Sequence, residues 1–120
     1  MSSIFAIEDD LDTGLLLKML LEEENHVVTL FTDPEEFRSR LGGETPDLIV
    51  SDIMLPKVDG YTLITNLLQD PRLAAIPVIM VTAKSSTRET FKSLPNVKAF
   101  LGKPYNKYVL VHMVERALQK

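Results

Sequence analysis

The stretch Pro46-Asp47-Leu48-Ile49-Val50-Ser51-Asp52-Ile53-Met54-Leu55-Pro56 sets the architecture of the whole chain. Leu48, Ile49 and Val50 form a short continuous apolar run, the pattern of a strand buried on both faces. Asp47 closes a turn before the run, and Ser51 and Asp52 end it. Met54-Leu55-Pro56 and Asp59-Gly60 then read as a loop, because proline has no N–H to donate and glycine accepts positive φ. Strands of this kind belong to parallel sheets covered by helices. Asp52 is therefore expected at the carboxyl end of a central parallel strand. In open α/β sheets that edge is where ligands bind.

The same alternation extends in both directions. Ile4-Phe5-Ala6-Ile7 is a buried strand opening into the acidic loop Glu8-Asp9-Asp10. Asp12, followed by Thr13, is the expected cap of the next helix. Leu15, Leu16, Met19 and Leu20 recur at three- and four-residue spacing and are expected to form its buried stripe, with an end near Asn25. His26 to Phe31 reads as a second strand. Thr32-Asp33-Pro34-Glu35-Glu36 is a helix start, with a cap, a first-turn proline and two acids at the positive end of the helix dipole. Phe37 and Leu41 are its inner face, and Gly42-Gly43 stop it.

Beyond Asp52, Tyr61, Leu63, Ile64, Leu67 and Leu68 give a third helix that ends before Asp70-Pro71. Val78 to Thr82 is the fourth strand. Ser85, Ser86 or Thr87 is expected to cap a short helix running to Leu94, and Val97 to Leu101 is the fifth strand. Asn106 caps a last helix carrying Val109, Leu110, Met113, Val114 and Leu118. Five βα units of this kind imply an α/β fold: a five-stranded parallel sheet with helices on both faces. Right-handed crossovers leave few topologies.

Composition narrows the function. At 120 residues the chain is one domain. Its net charge of −4 argues against nucleic acid as a direct ligand, since phosphate binding needs a basic face. With no cysteine there is no disulfide, thiol nucleophile or Cys-bound zinc, which fits a cytoplasmic setting. No signal-peptide core and no apolar run near roughly 18 residues are present, so no membrane association is expected.

In such a fold the strand ends share one rim. They bring Glu8 and Asp9, then Asp52, Thr82 and Lys103. Taken singly, each has an ordinary explanation: an acid after a strand is a helix cap, Thr82 a β-branched strand residue, Lys103 a solvated charge. The joint occurrence on strands one, three, four and five is what points to chemistry. Two like charges about 4 Å apart repel by roughly 4 kcal/mol at an effective dielectric near 20. A hard divalent cation relieves clustered carboxylates, and Mg²⁺ suits few carboxylates plus waters and phosphate oxygens. Asp52 can then attack phosphorus and become an aspartyl phosphate. The Thr82 hydroxyl and the Lys103 ammonium are placed to meet phosphoryl oxygens, and small Ala83 leaves room. His26 and His112 are isolated, and Gly42-Gly43 follows a helix, which excludes a nucleotide-binding P-loop.

Here the sequence resembles the receiver domain of two-component response regulators, from Ile4 to about Leu118. The resemblance is carried in order by Glu8-Asp9, Asp52-Ile53-Met54-Leu55-Pro56 with Asp59-Gly60, Pro77 to Ala83, and Lys103-Pro104. It implies a flavodoxin-like fold with strand order 2-1-3-4-5 over a single domain, residues 1–120. It implies phosphotransfer to Asp52 from a histidine kinase or phosphotransfer protein. It also implies Mg²⁺ (Mn²⁺ as an alternative) held by Asp9, Asp52 and the backbone carbonyl of Met54, with Glu8 acting through water. Thr82 and Lys103 carry over as phosphoryl contacts, Thr82 and Phe100 as the switch pair, and Lys103-Pro104 as a cis bond. A downstream output protein or domain, and a monomer or weak homodimer, complete the expectation. The chain is then a switch with no substrate turnover of its own.

Departures from the family pattern are local. Lys84 to Ala99 is slightly short, and Asn96-Val97 replaces a small Gly-Ala pair after Pro95. Met54 and Lys84, which flank the path of hydrolytic water in the family, are neither amides nor acids, so slow loss of the phosphoryl group is expected. The alternatives are a receiver-like interaction module that is never phosphorylated, an Mg²⁺-dependent phosphatase or mutase, and a flavodoxin-like carrier. The second needs an acid where Met54 stands, and the third a first loop without Glu8-Asp9-Asp10.

Overall fold

The computed structural model describes residues 2–52, 60–82, 94–103 and 105–119, with the side chains of Asp52, Tyr61 and Thr82 outside that description. Strands β1 (Ser3–Ile7), β2 (Val27–Phe31), β3 (Leu48–Asp52), β4 (Val78–Thr82) and β5 (Val97–Gly102) form one parallel sheet in the order β2-β1-β3-β4-β5. The helices are α1 (Leu11–Glu22), α2 (Pro34–Leu41), α3 (Gly60–Leu67), α4 (Pro71–Ala74) and α5 (Lys107–Leu118). The helix expected before Leu94 lies outside the described residues.

Strand side chains alternate between two core layers, as the period of two requires. Phe5, Ile7, Ile49, Val78 and Met80 face a layer with Phe37 and Leu41 of α2 and Leu63, Ile64 and Leu67 of α3. Ile4, Ala6, Leu48, Val50, Ile79 and Val81 face the other, with Leu17 and Leu21 of α1 and Leu110 and Val114 of α5. In the first layer Phe5, Phe31 and Phe37 meet edge to face, with centroids 5.0, 5.6 and 6.3 Å apart.

Helix starts follow the expected chemistry, with one shift. Asp33 accepts from the Glu35 amide at 3.0 Å, and Asn106 accepts from the Val109 amide at 2.9 Å. At α1 the capping position belongs to Asp10, which accepts from the Thr13 hydroxyl, while Asp12 falls inside the first turn. The end near Asn25 is confirmed. Asn25 takes φ 68°, its amide donates to Glu22 O, and the His26 amide donates to Leu21 O, the paired bonds of a Schellman turn. Asp70-Pro71 both ends α3 and starts α4, with the Asp70 carboxylate accepting from the Arg72 amide at 3.0 Å.

The face of α1 is a correction. Its buried residues are Gly14, Leu17 and Leu21, whereas Leu15, Leu16 and Met19 are about half exposed, as is Leu11. Apolar residues occupy several faces of this helix, so periodicity alone does not choose among them. Gly14 marks the inner face: a Cβ there would stand 2.8 Å from Leu30 Cδ1, so a side chain at this position would have to push the flexible Leu30 tip aside or lift α1 off β2.

Candidate functional site

The sheet register brings the predicted residues into one row. Ile7 pairs with Ser51, Asp52 with Val81, and Thr82 with Gly102. One step beyond those pairs, Glu8, Asp52, Thr82 and Lys103 leave four neighbouring strands at the same edge. Adjacent strands lie about 4.8 Å apart, so the row spans roughly 14 Å. Main-chain bonding holds its first member, since the Glu8 amide donates to Phe31 O at 3.0 Å.

Two side chains close this row. Lys103 Nζ lies 3.5 Å from Glu8 Oε1, although β5 and β1 are separated by β3 and β4. The lysine therefore reaches over the strand ends that carry Asp52 and Thr82. Val50, Val81 and Tyr105 border the same small cavity beside Glu8 and Lys103. Glu8 is only 5% exposed, so its carboxylate depends on nearby positive charge and hydrogen bonding to remain ionised. Asp9 is exposed at the outer side of the loop.

Sequence reasoning missed Tyr105 as part of this environment. It is half-buried against the α1 and α5 layer. Burial pushes its phenol above the ordinary value. The Lys103 ammonium pulls it back down, and the Glu8 carboxylate adds to the rise. Its place two residues after Lys103 was the available signal, but a tyrosine after the last strand reads equally well as surface.

Phe100 is half-buried on β5 against the α2 and α3 layer, paired in register with Met80. The Met54 carbonyl, Ala83, Lys84 and the Lys103-Pro104 bond lie outside the described residues. The two histidines are off the rim, as expected. His26 is buried with Nε2 3.0 Å from Glu115 Oε1, and His112 is exposed on α5. Among the described residues no three His, Asp or Glu side chains form a metal-binding group, and none of the helices is long and apolar enough to cross a membrane. The donors available at the rim are oxygens, which is the set a hard cation takes.

The chain is similar to known proteins over nearly its full length. An uncharacterised 14.6 kDa protein from the sodA1 3′ region of Leptolyngbya boryana is 32% identical, covering 94% of this chain and 87% of that protein. The transcriptional regulatory protein CssR of Bacillus subtilis is 33% identical over 98% of this chain, which spans only 51% of CssR. The signal receiver domain of a histidine kinase from Syntrophus aciditrophicus superposes with a TM-score of 0.87 at 34% identity, covering 98% of this chain and 90% of that one. The family model for the response regulator receiver domain matches residues 4–115. With that match running through all five strands and the rim they build, the chain belongs to the response regulator receiver domain family of two-component signalling.

Proposed function

We propose that Asp52 is the phosphoacceptor of this receiver domain, taken as residues 1–120, and that the donor is a phosphohistidine on a histidine kinase or phosphotransfer protein. The observation that carries the reading is the register row of Glu8, Asp52, Thr82 and Lys103, closed by the 3.5 Å approach of Lys103 to Glu8. An Asp52 carboxylate oxygen attacks phosphorus as the P–N bond of the donor breaks, and the electron pair returns to the imidazole. Lys103 balances charge on a phosphoryl oxygen, and the Thr82 hydroxyl donates to another. Asp9, Asp52 and the Met54 carbonyl would hold Mg²⁺, with Glu8 acting through water, and when bound the cation would supply neutralisation of negative charge at the site. The cavity of about 540 Å³ bordered by Phe31, Glu36 and Arg40 has none of the four row residues among its described lining.

The donor must approach over the rim. The exposed ridge of Leu11, Leu15 and Met19 on α1 starts two residues past Asp9 and offers it an apolar footing. Phosphorylation adds about −1.5 to −2 charge units at Asp52. In the proposed switch Thr82 and Phe100 respond, and the surface around β5 and α5 changes its preference for an output protein or domain. The reading carries no independent turnover and a cytoplasmic setting, which the cysteine-free composition supports. Met54 and Lys84 supply no group to orient water, so the phosphoryl group is expected to persist for minutes or longer.

The test is incubation with acetyl phosphate and Mg²⁺, followed by intact mass, with Asp52→Asn alongside. A phosphoryl-sized gain that needs the metal and disappears in the variant is expected. No gain under any condition would leave a constitutive binding module.

A further inference from the structure

Lys103 reaches sideways. It leaves β5, yet its Nζ comes within 3.5 Å of Glu8 Oε1 on the far side of β4 and β3. A lysine side chain is a flexible four-carbon stem, and fixing its rotamers costs entropy. Water draws the ammonium away from the sheet edge. Holding the stem flat over the strand ends therefore needs walls. Ile7, Val50, Val81 and Leu17 border the space beside it, all of them buried. These four belong to the core layers whatever the lysine does. Thr13 borders the space as well, with its hydroxyl donating to the Asp10 carboxylate. The other described wall is Tyr105, half-buried and packed against the α1 and α5 layer. The room left between these residues is about 10 Å³, enough for one water at most. The start of α5 sets the place of the ring, because the Asn106 side chain caps the Val109 amide at 2.9 Å and fixes the main chain beside it. Both rim charges, Lys103 and Glu8, act on the Tyr105 phenol. Its hydroxyl has no hydrogen-bond partner among the described residues, so what Tyr105 brings here is the ring.

We infer that Tyr105 is a positioning residue for Lys103: its ring closes the space beside the lysine stem, so that the ammonium lies across the strand ends instead of extending into water. Two effects follow. The stem gives up rotamers before a phosphoryl group arrives, so less order is lost in the reaction. The ring also keeps water from the ion pair, and drier surroundings strengthen the pull of Glu8 on the ammonium. A tyrosine that only filled the edge of the core would stabilise the fold and leave Lys103 as it is. The effect on phosphorylation rate rests on the phosphoacceptor reading, whereas the effect on the lysine does not.

The experiment compares the parent chain with Tyr105→Ala, Tyr105→Phe, Lys103→Gln and the double variant Tyr105→Ala with Lys103→Gln. Urea melts set conditions in which every chain is folded, and Tyr105→Leu, with the same expectations, replaces the alanine variant if that one does not fold. Ammonium correlations of the ¹⁵N-lysine-labelled chain, recorded without metal, report on the lysine, and the signal missing in Lys103→Gln belongs to Lys103. That signal is expected away from the free-lysine position in the parent and in Tyr105→Phe, and to collapse onto it in Tyr105→Ala. Timed intact mass with acetyl phosphate and Mg²⁺ reports the rate. Tyr105→Ala is expected to slow it about tenfold, and Tyr105→Phe, which keeps the ring, to recover most of that loss. On the Lys103→Gln background, adding Tyr105→Ala should slow it by less than about twofold, because the group it acts through is gone. A Lys103 signal unmoved by Tyr105→Ala, or equal slowing on both backgrounds, would overturn the proposal. So would a Tyr105→Phe chain as slow as Tyr105→Ala. If the parent gains no phosphoryl mass, the phosphoacceptor reading fails, and the lysine spectrum alone then upholds or overturns the positioning role.

Discussion

Lys103 Nζ stands 3.5 Å from Glu8 Oε1, joining the ends of two strands that are third neighbours in the sheet. In the proposed metal site, an ammonium in that place would compete with the divalent cation for the charge of the same carboxylate. Lys103→Gln is therefore expected to tighten Mg²⁺ binding by about tenfold, or ~1.4 kcal/mol, while slowing phosphorylation by acetyl phosphate. Calorimetric titration with Mg²⁺ gives the first quantity and timed intact mass the second. Weaker Mg²⁺ binding in the variant would show that Lys103 organises the acids rather than competing for them.

The phenol of Tyr105 is expected to titrate above the usual value near 10, because burial disfavours its charged form and Glu8 opposes it further. Below that pH the tyrosine is neutral in folded and unfolded chains alike. As pH rises past it, the unfolded chain gives up its proton first, so stability falls. Tyr105→Phe should remove this part of the alkaline loss. Phenolate absorbance against pH, with denaturant melts at matched pH, checks both statements. A Tyr105 phenol that ionises at or below the usual value would contradict the placement of its ring.

Gly14 is where α1 rests on Leu30. Gly14→Ala is expected to change stability little, since about 0.5–1 kcal/mol of helix propensity offsets a shift of one flexible leucine tip. Gly14→Val should destabilise by about 1–3 kcal/mol through overpacking. Urea melts separate the two. Equal tolerance of both would show that α1 moves off β2 freely.

Asn96 is 2% exposed, and its side-chain amide reaches Ile64 O at 3.5 Å, where the end of α3 tightens and the Leu68 amide turns to Thr65 O instead. It thus supplies a donor to a helix carbonyl from the start of β5. Asn96→Ala is expected to cost about 1–3 kcal/mol, and Asn96→Asp more, because a carboxylate would face that carbonyl. Thermal melts at neutral pH test the order. An Asp variant as stable as the parent would remove the hydrogen bond from the account.

The five strands and the rim were legible because each relies on a contiguous signal. An apolar run ends at a polar residue, and parallel strands of one hand put every such end on one edge. Asp52, Thr82 and Lys103 could be placed on neighbouring strands in that way, before any side chain was located. The inner face of α1 was not legible. Leu15, Leu16, Met19 and Leu20 satisfy helical spacing as well as Gly14, Leu17 and Leu21 do, and pattern counting gives glycine no weight although its missing side chain decides the packing. Asn96 was visible only as a departure from a small pair. Its role depends on Ile64, which is 32 residues away in sequence.

Ile4 and Phe5 are neighbours along β1, both fully buried, yet they belong to different core layers. The sheet is in this respect a partition between two compartments that share a backbone and few side-chain contacts. Volume changes among Phe5, Phe31 and Phe37 must be compensated within their own compartment, and those around Leu17, Leu110 and Val114 within theirs. Substitutions in opposite compartments should then combine close to additively.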